Sequence, residues 1–129
     1  MARIMSRRLL FAFVLALCLC AAGVAVAATA QAPVVPVKGV VTLVDFGAGY
    51  CVPCRMMEPV LKEAEREYRG RAAVIVVDVT KYAPLATRLG VRVIPTQIFY
   101  DKSGKEVARH EGFLDKKALS GQLDKLLAQ

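Results

Sequence analysis

The sequence predicts a single α/β domain whose elements follow the order βαβαββα. Three observations carry that prediction. Two continuous β-branched runs, Val40–Phe46 and Ala72–Val79, suit buried strands. Helical periodicity fills the stretch between them and returns at the end of the chain. A turn signal, Asp101-Lys102-Ser103-Gly104, separates two further strand-like segments.

Residues 1–30 read as a targeting segment or N-terminal anchor outside that domain. Arg3, Arg7 and Arg8 make a basic start, and Leu9–Ala28 carries no charge. The run reaches small-residue sites, Ala25-Val26-Ala27 and Ala28-Thr29-Ala30, of the kind signal peptidase accepts. Cleavage after Ala30 is slightly favoured over cleavage after Ala27. An apolar run of this length also suffices to span a bilayer, so an uncut leader would be a membrane tether. Cys18 and Cys20 follow Leu17 and Leu19, where a lipoprotein signal wants Gly or Ala, so lipid attachment is not expected. Ser6-Arg7-Arg8-Leu9-Leu10 faintly resembles a twin-arginine signal, but the strongly apolar run suits the general export route better.

Without the leader the net charge falls from +7 to +4, because three arginines leave and no acid does. The remaining charge is mixed in sign, as in Lys62-Glu63-Ala64-Glu65-Arg66-Glu67, which reads as a solvated surface. No nucleic-acid partner is expected.

Within the domain, Gln31–Gly39 contains Pro33 and Pro36 and reads as a linker or edge segment. Val40–Phe46 suits a central strand, and Gly47 and Gly49 mark a loop. A helix then runs from about Cys51 to Tyr68, with Met56, Met57, Val60, Leu61 and Ala64 at helical spacing. Pro59 should kink it and Gly70 stops it. Ala72–Val79 is the second strand, and Leu85–Leu89 a short helix ended by Gly90. Thr96–Tyr100 and Glu106–His110 flank the hairpin turn. Asp115–Ala128 closes the chain as an amphipathic helix with Leu119, Leu123, Leu126 and Leu127 on one face.

Four cysteines become two once the leader is set aside, and those two are Cys51 and Cys54. A bond between them closes a very short loop, which stabilises a fold much less than a long-range bridge. Reactivity is the stronger reading. Residues three apart share a helix side, so the pair can bond across a first turn. Cys51 would sit where free N–H groups and the macrodipole favour a thiolate, with Pro53 fitting the first turn. Thiol–disulfide exchange needs an exposed attacking thiolate and a second, shielded thiol, and this spacing supplies both. Structural zinc wants about four ligands, against two cysteines and His110 here. Soft copper on the pair stays open as an alternative. His110 reads as a strand-face histidine, and Met56 and Met57 as packing. No cofactor is expected.

These residues resemble the thioredoxin family over most of the chain from Val40 onward. The likeness rests on Val44-Asp45-Phe46 before the loop, Cys51-Val52-Pro53-Cys54 followed by Arg55, and Pro59 in the helix. Val91-Arg92-Val93-Ile94-Pro95-Thr96, Gly104 and Gly112 extend it. The resemblance implies a thioredoxin-like fold, trimmed at its N-terminus, with a four-stranded mixed sheet and Val34–Val37 along one edge. It implies that Cys51 is the nucleophile and Cys54 the resolving thiol, the two forming the redox-active disulfide. Asp45 would be the buried acid or base serving Cys54. Pro95 would be a cis-proline, and Tyr50, Val52, Pro53, Ile94, Pro95 and Thr96 would meet the substrate, with Ile94 and Thr96 pairing like an added strand. Gly47 and Tyr50 stand where the family has tryptophans, and Val76 where it often has a lysine near the buried aspartate. Desolvation should then raise the Asp45 pKa more freely.

The expected activity is a thiol–disulfide oxidoreductase exported to the periplasm or the outer face of a bacterial inner membrane. Pro53 and Ile94 resemble the reducing members, so a transmembrane thiol-reducing partner is implied. Protein thiol and disulfide clients follow, such as apocytochrome c, mis-paired disulfides or metal-site cysteines. An oxidase or isomerase, or a copper carrier using the same pair, is the alternative. A monomer is expected.

Overall fold

A computed structural model describes residues 31–129, which form one compact unit. The expectations about the leader, Cys18 and Cys20 lie outside the described residues. Among those residues, no helix is long and apolar enough to cross a membrane.

The elements are β1 (Val41–Gly47), α1 (Val52–Glu67), β2 (Ala72–Asp78), α2 (Ala83–Arg88), β3 (Thr96–Tyr100), β4 (Glu106–Glu111) and α3 (Lys116–Leu127). The sheet order is β2-β1-β3-β4, with β1 and β2 parallel and the other pairs antiparallel. The expected four-stranded mixed sheet is therefore present. β1 is buried along its whole length, as its unbroken apolar run requires of a central strand.

Strand alternation divides the core between the two faces. Val41, Leu43 and Phe99 pack with Met57, Leu61 and Tyr68 from the α1 side and with Leu119 and Leu123 of α3. Val44, Phe46, Ile98 and Tyr100 point the other way, toward Leu85 and Ala86 of α2. The Tyr68 hydroxyl lies 2.9 Å from the Asp124 carboxylate, and Lys116 bridges Glu63 and Glu67, so polar contacts also join α1 to α3.

Two expectations change. Residues 31–39 are irregular, with a bend at Val35-Pro36 and a turn at Lys38-Gly39, and no strand runs along Val34–Val37. Pro33 and Pro36 have no N–H to donate to a ladder; Val35 instead packs on the α2-side core, and the Val37 N–H donates to Thr42 Oγ1 at 3.2 Å. The short helix begins at Ala83, earlier than Leu85, because Pro84 fits its first turn. The long helix continues through Pro59 to Glu67.

Candidate active site

β1 delivers the chain to one end of the sheet, and α1 begins after four intervening residues. Cys51 is the N-cap of α1, with extended backbone, and its Sγ accepts the Cys54 N–H at 3.3 Å. Pro53 occupies the first turn, where a missing N–H costs nothing. Cys51 and Cys54 are joined as a disulfide across that turn, with Cα atoms 5.2 Å apart. Cys51 is half-buried and Cys54 is buried, so the pair has an outer and an inner sulfur.

The loop before β3 meets them from the other side. The Ile94–Pro95 bond is cis, and the Ile94 carbonyl oxygen lies 3.9 Å from Cys51 Sγ. The Gly112 N–H anchors this loop through the Pro95 carbonyl at 2.7 Å. Tyr50 and Ile94 share a hollow of about 260 Å³ with Val79, Val91, Arg92 and Val93. Tyr50, Val52 and Pro53 are exposed. Thr96 differs from expectation. It is fully buried between β1 and β4, and its hydroxyl donates to the Val93 carbonyl at 2.8 Å. Both its flanks face strands of its own sheet.

Asp45 lies beneath the inner sulfur at 2% exposure. Burial pushes its pKa from 3.8 up to about 6, opposed by the hydrogen bond from Gln97 Nε2 to Oδ1 at 2.7 Å. A cleft of about 250 Å³ leads to it, lined by Gly47, Cys54, Glu58, Val76 and Asp78. A methyl group on Gly47 would lie 3.4 Å from Cys54 Sγ and 3.7 Å from Asp45 Oδ2. Thiol and carboxylate thus flank one small space. Among the described residues, no group of three or more His, Cys, Asp or Glu is placed to hold a metal ion.

Two residues near the site stand differently from what the sequence suggests. Met56, read there as packing, is 54% exposed beside the cysteines, whereas Met57 is fully buried. Gln97 is fully buried opposite Asp45 in the β1–β3 ladder. Its signal was a long amide in an otherwise apolar strand segment, on the Phe99 face, where a buried polar group needs a partner. His110 is half-buried on β4, a strand-face histidine.

A model of the thioredoxin family matches residues 27–125. The chain belongs to the thioredoxin family. Thioredoxin from Staphylococcus aureus is 41% identical over 91 residues, 70% of this chain and 86% of that one. Thioredoxin C-2 from Corynebacterium nephridii is 38% identical over 82 residues, 64% of this chain and 75% of that one. The exposed lipoprotein thioredoxin of Streptococcus pneumoniae has a similar structure, with a TM-score of 0.63 at 27% identity, covering 69% of this chain and 87% of that one. Chloroplastic thioredoxin z gives 0.65 at 29%, covering 71% and 82%. With the cysteine pair at the helix terminus, this membership makes the chain a protein thiol–disulfide oxidoreductase.

Proposed function

We propose that this thioredoxin-family protein works outside the cytoplasm and reduces protein disulfides. The surroundings of Cys51 carry the direction. Strong oxidants owe their potential to a stabilised reduced form. Here, among the described residues, a single N–H donates to Cys51 Sγ, and the Arg55 guanidinium is turned to the Gly49 carbonyl at 3.1 Å. The thiolate therefore gains only the modest help of a helix terminus. Pro53 and Ile94, which resemble the reducing members, agree with that reading. Export is supported by the basic, then uncharged, leader with its small-residue sites, and by the likeness to an exposed lipoprotein thioredoxin.

In the reduced protein the Cys51 thiolate attacks one sulfur of a client disulfide, and the client's other sulfur leaves as a thiolate. A client strand alongside Ile94 aligns that bond. Cys54 then gives its proton to Asp45 and attacks Cys51 Sγ, releasing the second client thiolate and forming the internal disulfide. Two electrons have passed to the client. A transmembrane thiol-reducing partner restores the dithiol.

Equilibration against glutathione tests the direction. The couple should fall nearer about −270 mV than about −120 mV, and a value above about −180 mV would reverse it. Stoichiometric Cu(I) binding without disulfide reduction would favour a metal carrier. Alkylation of the reduced protein at mildly acidic pH should label Cys51 first, and Cys54→Ala should trap clients that Cys51→Ala does not. Preferential labelling of Cys54 would exchange the two roles.

A further inference from the structure

We infer that Gln97 is a positioning residue for Asp45, holding one carboxylate oxygen so that the other faces Cys54, and serving both the ionised and the protonated acid. This rests on the reading of Asp45 as the proton acceptor for Cys54. Gln97 Nε2 donates to Asp45 Oδ1 at 2.7 Å, the short range of a hydrogen bond to a charged acceptor. Oδ2 is left beside the space at Gly47 that also touches Cys54 Sγ.

Gln97 Oε1 is buried and, among the described residues, has no partner. Such an acceptor is destabilising unless some state of the site uses it. The chemistry of the pair supplies one. An ionised carboxylate only accepts, whereas the protonated acid must donate its O–H. A primary amide offers N–H donors and a carbonyl acceptor on one planar group, so a half-turn of that group matches it to either form. An apolar side chain would match neither.

The row across the sheet is Val76, Asp45, Gln97 and His110, one residue from each strand in register. β2 places apolar Val76 and, further along the cleft, Asp78 toward the acid; α1 contributes Cys54 and Glu58. Lys62 of α1 lines an adjoining hollow with Glu58 and Val76. His110 follows Gln97 in the row, and its Nε2 lies 3.1 Å from the Phe113 carbonyl oxygen. His110 is the imidazole of this row, so it is the group to control.

The test is an NMR titration of the intact oxidised protein from about pH 4 to about pH 9, following the Asp45 carboxyl carbon and the Gln97 side-chain amide. Both should change with one shared midpoint, and His110→Phe should leave that midpoint in place. Gln97's bond to the ionised carboxylate is charge-assisted and its bond to the protonated acid is not, so Gln97→Met should raise the Asp45 midpoint by about one pH unit and move the pH profile of the resolution step by the same amount. A merely structural glutamine would lower stability and leave the midpoint alone. The inference is overturned if the amide stays silent while Asp45 titrates, if it follows His110, or if the midpoint is unmoved in Gln97→Met. Should that variant not fold, the wild-type titration decides alone. Asp45→Asn kinetics separate the two readings: unchanged resolution removes the relay, while a shared midpoint would still establish the pairing.

Discussion

Burying Asp45 beside one amide donor makes the folded chain hold a proton that the unfolded chain releases. The folded pKa is about 6 against an ordinary carboxyl value of 3.8. Between those values the native state binds more protons, so stability falls as pH rises and is lowest above the folded pKa. Two pH units correspond to about 3 kcal/mol. Asp45→Asn keeps the size and removes the titration. It should stabilise the protein by about 1–3 kcal/mol near pH 7, with the gain shrinking toward pH 4, as paired urea melts at the two pH values would report. It should also slow resolution at neutral pH while sparing the first attack by Cys51, which rapid mixing separates. A pH-independent gain would mean that titration is not its cause. The acid stood out in the sequence because Val44-Asp45-Phe46 resembles the family's strand with a buried aspartate, at the end of an apolar run. Its partner did not, because the β1–β3 register that faces Gln97 with Asp45 is a tertiary fact.

The β1–β2 pair sets the electrostatics of the acid. Val76 lies in register with Asp45 and is 60% exposed on the same cleft, so no cation offsets the burial from that strand. Val76→Lys should bring an ammonium over the carboxylate and lower its midpoint by about one unit. The Asp45 cost present above pH 6 would shrink, and the resolution profile would move to lower pH. An unmoved midpoint would mean that the lysine stays in solvent. At the β1–α1 junction a Cβ on Gly47 would meet Cys54 Cβ at 3.2 Å and Sγ at 3.4 Å, closer than side chains usually pack. Gly47→Ala should therefore cost about 1–2 kcal/mol, visible as a lower urea midpoint, and narrow the cleft to Asp45. The central strands were readable as continuous β-branched runs, and the long helices because each repeats its own period within a few residues. Residues 31–39 were harder, since valines argued for an edge strand while two prolines argued against one. The prolines decided it.

Across the whole molecule, redox potential and folding stability share one thermodynamic cycle, so the direction of electron flow can be read from melting. The Cys51–Cys54 bond closes a loop with two intervening residues, for which the chain-entropy account gives roughly 2 kcal/mol in favour of the oxidised fold. The N-cap position works against it by stabilising the thiolate, by about 0.3–1 kcal/mol for the dipole. The oxidised protein should then stay more stable than the reduced one by about 1 kcal/mol. For a two-electron couple about 1.4 kcal/mol is about 30 mV, so the folded pair should be some 20 mV more reducing than the same cysteines in the unfolded chain. Paired urea melts with and without reductant near pH 7 should give the higher midpoint to the disulfide form, with similar slopes. A reduced form that melted later would mean that the fold stabilises the dithiol, the signature of an oxidant, and a donor of disulfides would replace the reductant proposed above.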